Sequence, residues 1–579
     1  MSAALAPRRR DALWLAVPGV LFLVAFLVGP ALGLLSLSFT DGDTGAFSLA
    51  AYRRAFGVGV YTRIIGSTFM IALQTMGFCL LLGYPLAYWL AGLPARRRRM
   101  ATLLVLLPFW TSALVKNFAW LVLLGRTGIV AGTLQALGVE APPDLLFNRG
   151  VVLFAMTHSL LPLAVISMLS VMTGIDERLR PAAGTLGASR VVAFWRVYMP
   201  LSMPGVASAG LLVFIAALGY FITPALLGSP RETMMGNAII IQVQQMDNMV
   251  FAAALSAVLI AAALLTCVVY DAIFGLSGMS GGGGAVRRSP HGLVRRLGLG
   301  LSRVLAAVFG GLAEGAARLL GGHRLGWLLP AYACAMVVVL VVPVLSMVPM
   351  AFTSSNFMSF PPPGFSLRWF EEYATSPVWV SATLRSFGIG IATAFVTVTL
   401  ATLAALGLAR SGSRLSGAAF LMFMTPMVVP SIVVAVSLFQ LFAKIGLVAT
   451  DLGIMIGHTV HAMPIAFVIL LATLKGHDLR LDQAAATLGA NRPRTFLRVT
   501  MPLIRGGLVG ALIFAFLASF EELTVAMFIG GGLRSTLPKQ MWDDVNLQVS
   551  PVLVAASVVV VVIVTVLFLL GEYLRPGRR

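Results

Sequence analysis

Twelve runs of about 20 or more predominantly apolar residues dominate this chain of 579 residues. At 1.5 Å per helical residue, each is long enough to cross a bilayer core of roughly 30 Å. The runs lie near 13–39, 64–92, 101–124, 151–173, 204–227 and 250–274, and again near 327–352, 384–409, 416–442, 451–474, 506–530 and 550–574. The apolar fraction is 59% and the charged fraction 11%. A soluble globular domain has roughly 45–50% and 25%. The fold class expected is therefore an all-α polytopic membrane protein of about 12 transmembrane helices. The start, with Arg8, Arg9 and Arg10 ahead of a long apolar run, reads as a retained first span. Its run exceeds the roughly 7–15 residues of a signal-peptide core.

The net charge of +20 raises the question of nucleic acid. The arginines answer it, because they cluster in short loops between apolar runs, where they set orientation rather than bind phosphates. With the N-terminus in the cytoplasm, Arg96–Arg99, Arg178, Arg180, Arg190, Arg196, Arg287, Arg288, Arg295, Arg296, Arg410, Arg414, Arg480, Arg492, Arg494, Arg498 and Arg505 all lie inside, as do Arg575, Arg578 and Arg579. The opposite face holds fewer, among them Arg53, Arg54, Arg126 and Arg231. Both termini are then cytoplasmic, and the partner implied by the charge is membrane lipid, with no nucleic acid. Cys79, Cys267 and Cys334 stand far apart inside apolar runs. They read as small buried packing residues, with no metal or disulfide spacing.

Residues 281–324 separate the two sets of six. Four glycines open the segment as a flexible linker. Leu297, Leu301, Val304, Leu305, Val308 and Leu312 then recur at helical spacing among arginines. That is the pattern of an amphipathic helix in the cytoplasmic lipid interface, or of a tether between fused halves. The division expected is 1–280 as a first repeat, 281–326 as the linker and 327–579 as a second repeat. Six spans per half means that both halves enter the membrane in the same sense, as parallel repeats about an axis along the membrane normal.

An ungapped match supports the duplication. Residues 174–205 lie over 476–507 at an offset of 302, with more than half the positions identical. "AAGTLGA" at 182–188 answers "AAATLGA" at 484–490, and Asp176, Phe194, Arg196 and Pro200 answer Asp478, Phe496, Arg498 and Pro502. Upstream, Pro108 and Gly128 meet Pro426 and Gly446 at an offset of 318. The first half therefore holds about 16 extra residues around 131–149. Each duplicated loop falls between the fourth and fifth spans and runs to about 30 residues, much longer than a simple helix–helix connection. Its alanines favour a helix. Gly187 and Gly489 end that helix or admit another backbone. A compact helix just outside the membrane offers a rigid surface to a soluble partner.

The duplicated loop resembles the signature of membrane subunits of bacterial ABC importers, Glu-Ala-Ala, three residues, Gly, then a downstream Leu-Pro. The leading Glu of that signature is replaced by Pro181 in one copy and Gln483 in the other. The resemblance implies a type I importer fold. It implies that Ala182, Ala183, Gly187 and Ala188, with Ala484, Ala485, Gly489 and Ala490, form coupling helices for two copies of a cytoplasmic ATPase. It further implies a periplasmic or extracellular substrate-binding protein and a bacterial cytoplasmic membrane. "LLPFWTSALVKNFAWLVLLGRTGIV" at 106–130 and "MTPMVVPSIVVAVSLFQLF" at 424–442 resemble the two permeases of spermidine/putrescine importers, fused here into one chain. Ferric-iron, phosphonate and opine importers share that architecture and stay open as alternatives. A twelve-span ion-coupled secondary transporter is the reading from a different class, but it has no use for two long matching loops. The chain lacks the G-x-x-x-x-G-K-[ST] loop. It is therefore expected to be no enzyme and to carry no cofactor, with ATP and Mg on the partner ATPase.

Path residues are sought among polar groups inside spans. Glu521 and Glu522 fall about 15 residues into a span that starts near Gly506, roughly 22 Å from its cytoplasmic edge. Charges at such depth face a cavity or a partner. The offset of 302 puts Gly219 and Tyr220 at the equivalent positions, so the acid is one-sided. Tyr220, Trp110 and Trp120 supply aromatic faces for ammonium or methylene groups, which suits an elongated solute with cationic ends, a polyamine above all. Lys116 runs against a cation path, and Asn117 beside it fits helix packing as well as a path. The alternative for the glutamates is a structural link to Lys116 or Arg534. His458 and His461 read as hydrogen-bonded packing between helices, with no metal site expected.

Overall fold

The computed structural model describes residues 12–274 and 327–574, apart from 43, 110, 127, 140–143, 359, 412, 414, 532–533 and 548–549. The linker expected over 281–326, Trp110 and both chain ends lie outside the described residues. Within them the chain is helical, and β-pairing is confined to the isolated bridges Thr40–Phe47 and Thr353–Phe365.

Among the described residues, nine helices are long and apolar enough to span a membrane: Leu13–Leu37, Gly59–Ala91, Arg149–Met172, Val191–Leu218, Met249–Ala272, Leu328–Ala351, Pro377–Arg410, Asp451–Lys475 and Arg492–Phe520. The closing run of the second half, Val552–Leu574, is helical as well. The third run of each half departs from expectation. It is not one straight helix but two, Ala95–Leu106 with Ala113–Leu123 and Leu415–Val428 with Ser431–Ile445, the latter pair together long and apolar enough for one span but bent by 97°. Proline chemistry and local caps explain the bend. Pro430 stands at the N-cap of its helix, where it has no N–H to lose, and Ser112 caps the corresponding helix by accepting from the Leu114 amide.

The fifth span also differs. It begins well before the apolar run, at Val191 and Arg492, and stops early, at Leu218 and Phe520. After a short break a six-residue helix follows, Ile222–Leu227 in one half and Thr524–Ile529 in the other. Near its start each fifth span widens into a π turn, Phe194–Tyr198 and Phe496–Thr500, and the first span does so over Val24–Val28. A proline follows two residues later in all three, at Pro30, Pro200 and Pro502. A proline ring clashes with the carbonyl four residues back in a regular helix, and the widened turn relieves that contact.

The duplication seen in sequence is a duplication in space. The π turns and short helices repeat at the offset of 302, and the outer helices Ala50–Gly57 and Arg368–Thr375 repeat at 318. Ile129–Ala136 lies where the first half has its extra residues.

The halves exchange their first spans. Leu13–Leu37 packs on Pro377–Arg410 and Ser431–Ile445, and Leu328–Ala351 packs on Gly59–Ala91 and Ala113–Leu123. Glycine allows the closest approach: a Cβ on Gly407 would stand 2.9 Å from the Ala12 carbonyl oxygen, and one on Gly19 would stand 2.7 Å from the Phe423 ring. The Tyr332 hydroxyl donates to the Leu82 carbonyl at 2.7 Å, and His158 Nε2 lies 3.2 Å from the Leu340 carbonyl oxygen. Cys79 is buried, as expected, but Cys334 is exposed on the exchanged helix.

This exchange joins the halves through helices that lie outside the linker. Residues 1–280 and 327–579 expressed as separate chains are expected to co-purify from membranes. Gly407→Val, which forces a side chain against the backbone of the exchanged helix, is expected to lower the recovered complex several-fold, read by quantitative pull-down.

Candidate functional site

Two places gather the candidate residues: the duplicated loops at one end of the bundle, and the breaks after the fifth spans inside it. Each loop holds a short helix, Leu179–Thr185 and Leu479–Thr487. Asp176 and Asp478 Oδ1 each accept from a backbone amide, of Arg178 and Arg480 respectively, at 2.9 Å. At the far end Gly187 and Gly489 sit at φ +84° and +82°. The amides of Ala188 and Ala490 then reach back to the carbonyls of Ala183 and Ala485 at 3.0 and 3.1 Å. This is a left-handed helix cap, a backbone state costly for any residue with a Cβ. Nothing lies within 4 Å of where that Cβ would be, so the glycines serve to end the helix. The next helical turns open with Ser189 Oγ accepting from the Val192 amide and Asn491 Oδ1 accepting from the Arg494 amide.

The loops also show what the sequence reading overlooked. Leu186 and Leu488 occupy equivalent positions and are each 88% exposed, and Leu179 and Leu481 are exposed beside them. An apolar residue held out by a rigid cap in an otherwise polar loop was the available signal. The same apolar residue is thus held outward in both copies.

The breaks sort the polar residues into separate roles. Glu522 is buried, and its Oε2 accepts from the amides of Val525 at 2.8 Å and Ala526 at 3.4 Å, capping the short helix Thr524–Ile529. The same oxygen lies 3.4 Å from His458 Nε2, whose Nδ1 is 2.7 Å from Ser519 Oγ. His458 thus belongs to hydrogen-bonded packing, and no metal-holding cluster occurs among the described residues. Asn117 does the parallel work in the first half: its Oδ1 accepts from Thr223 Oγ1 at 2.7 Å and its Nδ2 donates to the Ala113 carbonyl. Asn117 therefore ties Ala113–Leu123 to the short helix Ile222–Leu227.

Glu521 is different. The helix ends at Phe520, so Glu521 is not set within a span but at the break, and its side chain diverges from that of Glu522. Its Oε1 is buried without a hydrogen-bond partner. Across the junction of the halves, the buried Lys116 of Ala113–Leu123 is its electrostatic neighbour. No ion pair of 4.0 Å or less joins the two among the described residues. In the first half Gly219 takes the place of Glu521, where a Cβ would stand 3.2 Å from Pro430, and the half-buried Tyr220 follows it. Trp120 presents no open face: it is 7% exposed and packs edge-on against Phe154 and His158, with ring centroids 4.6 and 5.4 Å away.

Residues 397–579 match the family model described as binding-protein-dependent transport system inner membrane component. The spermidine/putrescine transport system permease protein PotB of Salmonella typhimurium is 32% identical over 255 residues, covering 88% of that protein and 43% of this chain. The permease protein PotC of the spermidine/putrescine system of Haemophilus influenzae is 29% identical, covering 81% of that protein and 36% of this chain. A chain from a bacterial alginate ABC transporter, crystallised with a periplasmic protein bound to an alginate pentasaccharide, aligns at 20% identity and a TM-score of 0.39, covering 94% of that chain and 45% of this one. PotB of Salmonella typhimurium, 88% covered by 43% of this chain, corresponds to about one of this chain's two repeats. This chain belongs to the binding-protein-dependent inner membrane permeases of ABC importers.

Proposed function

We propose that the chain is a fused pair of permease repeats that imports a polyamine-like organic cation, driven by ATP hydrolysed on two copies of a separate cytoplasmic ATPase. The observation that carries the cation is Glu521: a carboxylate oxygen inside the membrane region, between the halves, with no partner of its own. The similarity to spermidine/putrescine permeases supports the same solute class. Lys116 does not oppose this reading. An ammonium arriving at Glu521 exchanges with one already nearby, so attraction is present without a deep well that traps the solute. The loop end is read as cytoplasmic from its arginines, including Arg178, Arg410, Arg480 and Arg498. A periplasmic or extracellular binding protein delivers solute to the other end.

Glu521→Gln is expected to reduce cation uptake in proteoliposomes about tenfold or more, the scale of a lost charged hydrogen bond of about 1.5–3 kcal/mol. Glu522→Gln keeps an oxygen for the helix cap and is expected to transport near the normal rate. Equal effects of the two variants, or delivery of an anion by the binding protein, would remove the acidic path from this account and leave the importer assignment intact.

The docking role is tested separately. Leu186→Asp with Leu488→Asp removes two exposed apolar knobs, each worth about 1.5–3 kcal/mol if fully buried by a partner. The expected result is normal membrane insertion with loss of ATPase co-purification. Retention of the ATPase at wild-type level would show that the loops do not dock it.

A further inference from the structure

In the second half one carboxylate gathers the helices at the loop end. Asp482 lies in the loop helix Leu479–Thr487, most of which is exposed; Asp482 and Ala485, one turn apart, are its half-buried residues. Asp482 Oδ2 lies 2.6 Å from Nη2 of Arg410, the last residue of the second span Pro377–Arg410. Its Oδ1 lies 3.0 Å from Nε2 of His477, which stands just beyond the fourth span Asp451–Lys475. That same oxygen accepts at 3.0 Å from the hydroxyl of Thr500, which closes the π turn of the fifth span. The side chains of His477, Asp482 and Arg410 are 4%, 13% and 30% exposed, so solvent screens this network far less than an ion pair on open surface. One side chain of the loop thereby holds the second, fourth and fifth spans, which also pack on one another.

The first half repeats the backbone and not the chemistry. Gly92 stands at the place of Arg410 at the offset of 318, and Ile175, Arg180 and Tyr198 stand at the places of His477, Asp482 and Thr500 at 302. Rings join the spans instead. Tyr88 of the second span meets Phe194 and Tyr198 of the π turn edge to face, with centroids 5.2 and 5.1 Å away, and the Tyr84 and Ser202 hydroxyls are 2.9 Å apart. These contacts fasten the second span to the fifth, and no residue of the loop helix Leu179–Thr185 takes part in them. That helix leads on into the fifth span, on whose π turn it packs.

We propose that Asp482 is a positioning residue for coupling: it passes movement of the second loop helix to the second, fourth and fifth spans of its half together, while the first loop passes movement through its fifth span alone. The proposal rests on the reading of the loops as ATPase docking sites. A charge-assisted hydrogen bond is short and directional, so a shift of Asp482 carries its three partners. Ring contact is built from many weak dispersion attractions and here does not include the loop helix. An exposed helix of two turns has few buried contacts and opens at little cost, and Asp482 is what keeps this one with the spans. The outward residues Leu481 and Leu488 are exposed toward a partner. Two identical ATPase copies therefore meet loops of unequal grip.

The test is hydrogen exchange of the full chain with its ATPase in lipid nanodiscs, with and without ATP and Mg²⁺. In the wild type, ATP is expected to change exchange several-fold at both breaks, residues 219–221 and 521–523. Asp482→Asn keeps the side-chain volume and removes the charge. It is expected to retain the ATPase and to lose the ATP response at 521–523 while keeping it at 219–221. Exchange over 479–487 is expected to rise about tenfold, the scale of a lost charge-assisted hydrogen bond, with 179–185 unchanged. Asp482→Glu is expected to restore most of the response. Arg410→Gln removes the charge facing Asp482 and is expected to reproduce Asp482→Asn; it decides the matter if the first variant fails to insert. A wild-type ATP response at 521–523 in both charge-removing variants, even with a loosened loop helix, would reduce the network to a structural clamp and overturn the proposal. Loss of the response at both breaks, or loss of the ATPase itself from Asp482→Asn, would overturn it too. A wild-type complex with no ATP response at either break would instead sink the docking reading on which the proposal rests.

Discussion

Hydrocarbon offers a backbone no hydrogen-bond partner, and this one constraint orders the polar chemistry of the chain. A helix that stops inside the bundle leaves amides and carbonyls that the protein must satisfy itself. Both fifth spans stop there, after Leu218 and after Phe520. Each break is repaired by side chains: Glu522 takes the amides of Val525 and Ala526, while Asn237 donates to the Phe221 carbonyl and accepts from the Met234 amide. Asn117 and Thr223 add a bond across to the neighbouring helix. Most buried polar groups at the centre are thus committed to the backbone and to helix packing. Glu521 Oε1, near Lys116, is among the buried polar atoms left without a hydrogen-bond partner, and it is the carboxylate on which the proposed cation path rests.

Duplication supplied two equal frames, and the two have diverged in charge while keeping their geometry. Gly219 packs on Pro430, whereas its counterpart Glu521 faces the side chain of Lys116. At the loop end the asymmetry is reversed: the second half has filled its frame with Arg410 and Asp482, and the first half has left a cavity at Gly92. A symmetric homodimer has no access to this division. A fused chain, or two distinct chains, can place a charge on one side of the axis only.

The twelve apolar runs, the parallel repeat and the two loops were legible because each rests on composition or on identity at a fixed offset. Direction was not. Hydropathy measures how apolar a run is and says nothing of a turn within it, so Leu415–Val428 and Ser431–Ile445 merged into one span. Proline gave no clear warning, since Pro85, Pro162 and Pro464 sit inside unbroken helices of this chain. The start of the fifth span was missed for the converse reason: residues 191–203 and 492–505 are helical although partly polar. The adjacency of Glu521 and Glu522 suggested a pair of like function. Only the position of the helix end, which composition does not encode, separates a cap from a charge left unbonded.

The fifth span joins the two functional places by a mechanical route. It runs as 28 residues in the first half and 29 in the second, from the loop to the break. At 1.5 Å per residue each is a rod of roughly 43 Å. One end follows directly on a capped helix that holds an apolar leucine outward, and the other ends at Gly219 or Glu521. The π turn lies near the loop end, at Phe194–Tyr198 and Phe496–Thr500, with Pro200 or Pro502 just beyond it. The irregular turn therefore lies beside the loop and not beside the break, and each rod packs along its length against the second and fourth spans of its own half. On the importer reading proposed above, a displacement of the loop helix would reach the break through this packed rod and would move the central carboxylate without disturbing the hydrogen bonds that repair the break.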